Sequence, residues 1–591
     1  MFLITTADQR FWKKDEKILF LGEWCKPYTI KEAWSELDYM VVPYHWNNRK
    51  QLYKDYLYLG EVYERYLQFL ANRLNELHKE EHSLRYWRII IGPWLHYFIA
   101  ILFDRYVSLK KASDAYEITN TWIANTDLWE WVPQDMLSFQ KYFCGDNYNQ
   151  MLYSRIIRQL KLVSYEIIDC NNCSNIELNA ASDIQSFSFR NRNVIESLIV
   201  KMSSKISSFR NPSFVFVQSF FGLYEQSKLE IALKQLPTLF REIQLPPVQV
   251  NQNLRQPLYL KEGHNIFESL LDVFIAEQIP TAYVENYKKI KELASFYYPK
   301  KPKVIFTTIA YSSNEGFKCW SADQVKQGAK LVIGQHGGHH GTGLWNWEEE
   351  HEIKISDYYI TWGWNIPNEP KVQSLPAGKL IRIKQYLRPN SQGHILWVLC
   401  GVPRYSYWMY SAPVASQFLN YLEDQVNFAK KLSHDARRLL LLRYNPTDFG
   451  WGEADLLREL NLGIQDYYGK QTMEGQLNQS RLFVGTYNGT TYLETLVADF
   501  PTILFWNPDH WELNSSAQTF FDELRAAEIL HNTPESAAQK VNAIYTDPAA
   551  WWKTPKVQNA KNLFCEQYAK SSPKWIKEWK AKLVEIAQDN A

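Results

Sequence analysis

The residues best suited to chemistry fall in one short stretch. Gly334-Gln335-His336-Gly337-Gly338-His339-His340-Gly341 is followed closely by Glu348-Glu349-Glu350-His351-Glu352. Glycines let a backbone approach a ligand and tolerate positive φ, while glutamine and histidine supply directional hydrogen bonds. A carboxylate close to an imidazole can act as a base or raise the imidazole pKa. This pattern makes His336, Glu350 and His351 the candidate catalytic groups, with Gln335, Gly337 and Gly338 contacting a ligand. The competing reading is a glycine-rich turn whose histidines satisfy local backbone groups, followed by a solvated acidic helix. His336, His339, His340 and His351 could also be ranked as metal ligands, but no HExxH spacing occurs, and no metal site is expected.

Two further sets lie downstream. Leu441-Leu442-Arg443-Tyr444-Asn445-Pro446 ends an apolar run with a cation and an amide, and Arg404 follows another such run. The planar guanidinium fork suits a pair of phosphate oxygens, which nominates Arg404, Arg443 and Asn445; surface ion pairing is the alternative. Gly485-Thr486-Tyr487-Asn488-Gly489-Thr490-Thr491-Tyr492-Leu493-Glu494 reads as a strand end, a small polar turn and a helix start, where free N–H groups favour an anion. Asn488, Gly489, Thr490, Thr491 and Glu494 are therefore candidate donor-binding residues, Glu494 toward ribose hydroxyls. Thr491 and Glu494 also have capping-box spacing, which would tie Glu494 to its own helix.

These groups need strand ends to hold them. Short apolar runs at 304–308, 330–334 and 358–362 alternate with helical intervals, the pattern of right-handed parallel crossovers. A second unit of the same kind starts at His394 after the polar linker 388–393, with later strands near 438–444, 481–485 and 502–506. The N-terminal runs 2–6 and 17–22 open an α/β domain, and helical periodicity over 51–109 and 135–161 embeds a helical portion in it. The expected organisation is an N-terminal α/β domain with a helical insertion over 1–390, a Rossmann-like domain over 391–556 and a closing helix over 557–591. In open parallel sheets ligands gather at the carboxyl ends of strands, where the motifs above fall.

Composition narrows the partners. Against 64 Asp and Glu stand 65 Lys and Arg in 591 residues, so there is no global positive field of the kind that draws nucleic acid. Trp, Tyr and Phe make up 15% of the chain, which suits sugar rings and bases as well as a large core. Seven scattered cysteines argue for a reducing compartment, and the lone pair Cys170 and Cys173 lacks the partners of a zinc site. The N-terminus lacks the regions of a signal peptide, which places the protein in the cytoplasm. The most apolar stretch, Ile89 to Phe103, falls short of the roughly 18 residues of a membrane span and reads as a buried helix; peripheral contact with the inner face of the membrane stays open.

Taken together, Phe2-Leu3-Ile4-Thr5-Thr6, Leu21-Gly22-Glu23-Trp24-Cys25, Gly92-Pro93-Trp94-Leu95, Gln335-His336-Gly337-Gly338, Ile355-Ser356-Asp357, Thr361-Trp362-Gly363-Trp364 and Tyr487-Asn488-Gly489-Thr490-Thr491-Tyr492-Leu493-Glu494 resemble a family of transferases encoded in O-antigen and other surface-polysaccharide clusters. More distantly, the second half resembles GT-B glycosyltransferases, including capsule transferases that use CMP-activated ulosonic acids such as Kdo, although their His-Pro nucleotide motif is not evident. The resemblance implies two facing Rossmann-type domains and a metal-independent transfer, with no cofactor, from a nucleotide-sugar donor to a glycan or lipid-linked glycan acceptor. Thr490, Thr491 and Glu494 would hold phosphate and ribose; placement at strand ends, apart from the resemblance, nominates Arg443 for the phosphate and His336 or Glu350 as acceptor base. The rival expectations are a glycan-binding or assembly protein without catalysis, and a nucleotide-sugar epimerase of the same fold.

Overall fold

The computed structural model describes residues 1–169, 211–240, 242–407, 409–447, 449–466 and 471–589. The Cys170 and Cys173 pair and the polar stretch 171–193 lie outside the described residues. The expected class, α/β with parallel sheets, is what the chain adopts: among the described residues every ladder between named strands is parallel, and the strands form three sheets.

The first sheet contains β1 (Phe2–Ile4), β2 (Ile18–Phe20), β3 (Tyr39–Val41), β4 (Asn120–Asn125) and β5 (Glu166–Asp169) in the order β3-β2-β1-β4-β5. Between β3 and β4 run two long helices, α1 (Arg49–His78) and α2 (Leu84–Ala115). The Asn48 side chain caps α1 by accepting from Gln51 N, and Lys79, left-handed at φ 58°, ends it. The second sheet contains β6 (Phe214–Val217), β7 (Val304–Thr307), β8 (Lys330–Gly334), β9 (Tyr358–Thr361) and β10 (Val372–Ser374), in sequential order across the sheet. Its site-bearing helices are α3 (Leu223–Ala232), α4 (Glu315–Lys326) and α5 (Trp347–Ile355). The third contains β11 (His394–Val398), β12 (Leu440–Arg443), β13 (Gln465–Asp466), β14 (Ser480–Gly485), β15 (Thr502–Phe505) and β16 (Leu530–His531), in the order β13-β12-β11-β14-β15-β16. The chain then finishes through α6 (Thr491–Val497, lying between β14 and β15), α7 (Pro555–Tyr568) and α8 (Trp575–Gln588).

The strand patterns do not separate the two sheets that precede β11. No ladder joins β5 to β6, and α2 packs against α1 on one side and against α4 and α5 of the second sheet on the other. That position explains its composition. By length and apolarity α2 could cross a membrane, but its apolar window is entirely buried inside the fold. Gly92 within it is required for close approach, since a Cβ there would come 2.7 Å from His351 Cε1 and 2.8 Å from the Tyr63 hydroxyl.

The third sheet repeats the strand order of dinucleotide-binding α/β folds, whose ligands lie outside the carboxyl ends of the two central strands where the order reverses. Here those strands are β11 and β14, joined at their ends by the Thr486 hydroxyl, which donates to the Val398 carbonyl oxygen at 2.8 Å. The tail couples this sheet to the second. Phe564 of α7 packs on Tyr492 and Phe521, Lys570 N donates to Trp362 O at 2.8 Å, and of the α8 tryptophans Trp575 stacks on Phe221 while Trp579 meets it edge to face.

Candidate functional site

The loop after β8 and the helix α5 face each other at the carboxyl end of the second sheet. On α5, Glu348 and Glu352 are one helical turn apart and share a face, so both point at the loop, while Glu350 and His351 point elsewhere. His336 Nδ1 lies 2.9 Å from Glu352 Oε1 and its Nε2 lies 3.5 Å from Glu348 Oε2; His340 Nε2 lies 3.3 Å from the other Glu352 oxygen. Glu352, fully buried, also accepts from the Tyr311 hydroxyl and, at 2.8 Å, from the Tyr359 hydroxyl, and Glu348 accepts from the Tyr97 hydroxyl at 2.9 Å. The imidazole and Glu348 keep about a fifth of their side-chain surface open to solvent.

The charges follow from this arrangement. Burial works against a charged imidazole, but Glu352 and Glu348 outweigh it and raise His336 to about 10. Burial likewise opposes the Glu352 carboxylate, and His340 and His336 overcome it, holding Glu352 far below the usual carboxylate range. Glu349, turned toward Gly341 N at 2.5 Å, goes the other way: burial pushes it up to about 7. His339 is pushed down to about 4 by burial and sits against the Ser411 carbonyl oxygen at 3.1 Å. At neutral pH the directions of these shifts make His336 an imidazolium and His339 a neutral imidazole.

Several expected site residues do other work. Glu350 lies on the outer side of α5, bonded to the Tyr56 hydroxyl, and His351 is buried among Trp347, Tyr311 and Gly92 with neither ring nitrogen hydrogen-bonded and its pKa pushed down to about 3 by burial. Glu348 and Glu352, rather than these two, face the histidine loop. Gln335 is turned into the fold, its oxygen accepting from Trp362 N and Trp364 Nε1 at 2.9 Å and its amide donating to Gly337 O. Asn488 is buried between Thr342 and the Tyr492 hydroxyl. The role of Gly337 and Gly338 is close approach rather than positive φ, which in this loop belongs to Gly341 at 72°.

Arg404 is likewise turned into the fold. It is buried and donates to the Trp24 carbonyl oxygen at 2.7 Å and to Asp146 at 2.6 Å, joining the first sheet to the third. Arg404→Met would leave that carbonyl oxygen and carboxylate short of a donor, so denaturant titration should show a loss of about 1–3 kcal/mol. Nucleotide binding should be unchanged; a loss of binding without a loss of stability would return Arg404 to the ligand site.

The remaining candidates converge. Gly338 N donates to Thr490 Oγ1 at 3.2 Å, so the loop after β8 touches the turn after β14. The Thr491 hydroxyl lies 3.3 Å from the Tyr487 hydroxyl, and α6 carries no side-chain cap at Thr490, so the capping-box alternative is not what Glu494 does. Glu494 instead pairs across the gap with Lys379, whose ammonium lies 3.2 Å away and also over the Phe220 ring. Arg443 and Asn445 stand at the neighbouring end of β12, Arg443 tied to Gln471 O and Gln476 and Asn445 accepting from Thr447 N. Gly489 supplies the carbonyl against which Gly338 packs.

Residue pattern alone singles out neither Lys379 nor Phe220. His336, His340 and Glu348 also bring three potential ligand atoms within 4.8 Å of one another. Glu352 lies against both imidazoles.

Residues 1–583 match the LIC12162 family transferase profile. The chain belongs to that family of transferases. Comparison with curated protein sequences gives no match. Among solved structures, this transferase is similar to MurG from Acinetobacter baumannii, at 10% identity and a TM-score of 0.31, over 64% of this chain and 100% of that one. It is also similar to WaaG, a glycosyltransferase involved in lipopolysaccharide biosynthesis, at 10% identity and a TM-score of 0.26, again over 64% of this chain and 100% of that one.

Proposed function

We propose that this transferase is a glycosyltransferase of GT-B type that moves a sugar from a nucleotide donor to a surface-glycan acceptor. The observation that carries the reading is the meeting of two strand-end loops. The turn after β14 lies at the order reversal of a nucleotide-binding type of sheet, and it touches, through Thr490 and Gly338, the loop that carries His336, whose pKa two neighbouring carboxylates raise to about 10. Glycosyl transfer builds negative charge on the leaving phosphate as the sugar becomes oxocarbenium-like. An imidazolium held by two carboxylates suits that leaving phosphate rather than the acceptor base first expected of His336. Glu348, the more exposed carboxylate, takes the acceptor hydroxyl's proton in an inverting transfer. Thr490, Thr491, Arg443 and Asn445 line the donor side, and Glu494 meets the ribose when Lys379 releases it.

The donor we favour is a CMP-activated ulosonic acid, and the transfer needs no bound metal. Because nucleotide sugars are cytoplasmic metabolites, the reaction belongs in the cytoplasm, at the inner face of the membrane where a lipid-linked glycan is presented. A thermal-shift panel of CMP, CDP, UDP, GDP and dTDP, each with and without EDTA, tests these points. A ligand that binds only the native state raises Tm, by about 2.7 kcal/mol of added stability at a hundredfold excess over Kd. CMP should raise Tm equally in both conditions. A shift with another nucleotide would change the donor, a shift abolished by EDTA would remove metal independence, and no shift with any of the five would remove the transferase reading.

A further inference from the structure

Outward from His336, three aromatic rings each carry a cation. Lys379 lies over Phe220 at 5.9 Å, Arg382 over Tyr386 at 4.9 Å and Lys228 over Tyr224 at 4.0 Å. They come from two segments: the loop from β6 into α3 together with the first turns of α3, which carry Tyr224 and Lys228, and the turns that follow β10. The segments touch where Arg382 passes Gly222, since a Cβ there would be 3.3 Å from Arg382 Cδ, and where Arg382 Nε approaches Glu225 at 3.4 Å. The strip begins at the catalytic cluster, because the Phe220 ring is 6.5 Å from the His336 ring.

Its surface properties are unusual for a fold with so large an aromatic core. Tyr224 is 61% exposed and Tyr386 44%, whereas most large aromatics in this chain are buried. The loop that presents Phe220 is held in a costly conformation, with Gln218 at φ 47° and Phe220 at φ 55°, a feature concentrated at ligand-contacting loops. Glu225 supplies an independent pointer. It is only 6% exposed, one oxygen faces Arg382, and the other is buried with no hydrogen-bond partner beside Gly222. An unpartnered buried carboxylate oxygen is expensive unless something else donates to it.

We infer that this strip is the acceptor subsite, and that it binds an acidic oligosaccharide. Exposed tyrosine faces stack on pyranose rings, Arg382 and Lys228 pair with sugar carboxylates, and the free Glu225 oxygen accepts from a sugar hydroxyl. The inference rests on the transferase reading for the ligand's role as acceptor, but not for its binding. A lysine-flanked aromatic surface also suits an anionic membrane; we favour the glycan because Phe220 stands beside the reacting imidazole and a buried, unpartnered acceptor oxygen of Glu225 lies by Arg382 and Gly222.

The test uses the full-length chain on a printed array of bacterial surface oligosaccharides, acidic and neutral, with phosphatidylglycerol vesicles as a second arm. Wild type should bind acidic members, and Tyr224→Ala with Tyr386→Ala should weaken that binding at least about tenfold, roughly 1.4 kcal/mol. Tyr224→Phe with Tyr386→Phe should retain it, and the nucleotide-induced Tm shift should be the same in all three proteins. The subsite is overturned if no oligosaccharide binds, if neutral members bind as well as acidic ones, if the double alanine variant binds normally, or if its loss appears with vesicles and not with glycans. Glycan binding without any nucleotide shift would keep the subsite and remove the transferase reading, so the two fail separately.

Discussion

Glu352→Gln is expected to lower kcat by about 10²–10⁴-fold, the range typical of disabling a proton-holding group, while the fold persists. Glu352 does not face the cleft; it acts through His336. Its carboxylate lies against both imidazoles and takes two tyrosine hydroxyls, and glutamine keeps the shape while removing the charge. The pH profile separates this positioning role from simple damage. With His336 raised to about 10, wild-type turnover should be flat through neutral pH and fall as pH rises through about 10, because the imidazolium is the working form. In Glu352→Gln the alkaline fall should move down toward the ordinary histidine value of about 6.5. If His336 worked instead as an acceptor base, wild-type activity would increase as pH rose through its pKa. That outcome, or an unmoved alkaline limb in the variant, would refute the assignment.

The same cluster makes stability depend on pH in opposite senses at its two ends. His336 is raised from 6.5, so its contribution is complete below about 6.5 and is lost as pH climbs through about 10. Glu352 is lowered from 4.5, so its contribution is present above about 4.5 and is lost as pH falls below that. Between those limits the ion pairs are intact.

How much of this was legible in the sequence depended on whether a local pattern sufficed. Apolar runs such as 304–308, 330–334 and 394–399 became β7, β8 and β11 because short buried strands announce themselves through consecutive apolar residues. The histidine loop was legible for the same reason, as glycines and imidazoles at a strand end. What the sequence hid were choices made by three-dimensional facing. Glu348 and Glu352 were visible as acidic residues, and their spacing of four puts both on one side of a helix; that spacing, matched to the spacing of His336 and His340, was the signal that could have selected them over Glu350 and His351. Arg404 had the chemistry of a phosphate ligand, but its direction was decided by Asp146, 258 residues away. Lys379 and Phe220 sit in segments without histidine-rich marking; the approach of α6 to the second sheet brings Glu494 to Lys379, and the shared carboxyl end of that sheet brings Phe220 to His336.

Two glycine-to-alanine substitutions should have opposite signs, and the larger effect tests the loop contact itself. At Gly338 a Cβ would collide with the Gly489 carbonyl oxygen, which is backbone and cannot swing aside, and it would also come 3.0 Å from Leu493 Cδ1. Gly338→Ala must therefore push the loop after β8 away from the turn after β14 and break the Gly338 N bond to Thr490. Forced overpacking of this kind costs about 1–3 kcal/mol, and if the donor lies between the two loops the same strain appears as roughly a tenfold to hundredfold loss in nucleotide affinity. Gly60, in the middle of α1, offers a control: a Cβ there meets nothing within 4 Å, so Gly60→Ala should stabilise by about 0.5–1 kcal/mol and leave the nucleotide shift unchanged. Thermal shift with and without nucleotide reads both quantities for both proteins. Normal nucleotide binding in a destabilised Gly338→Ala would mean that the two loops meet for packing alone and that the donor lies elsewhere along the third sheet.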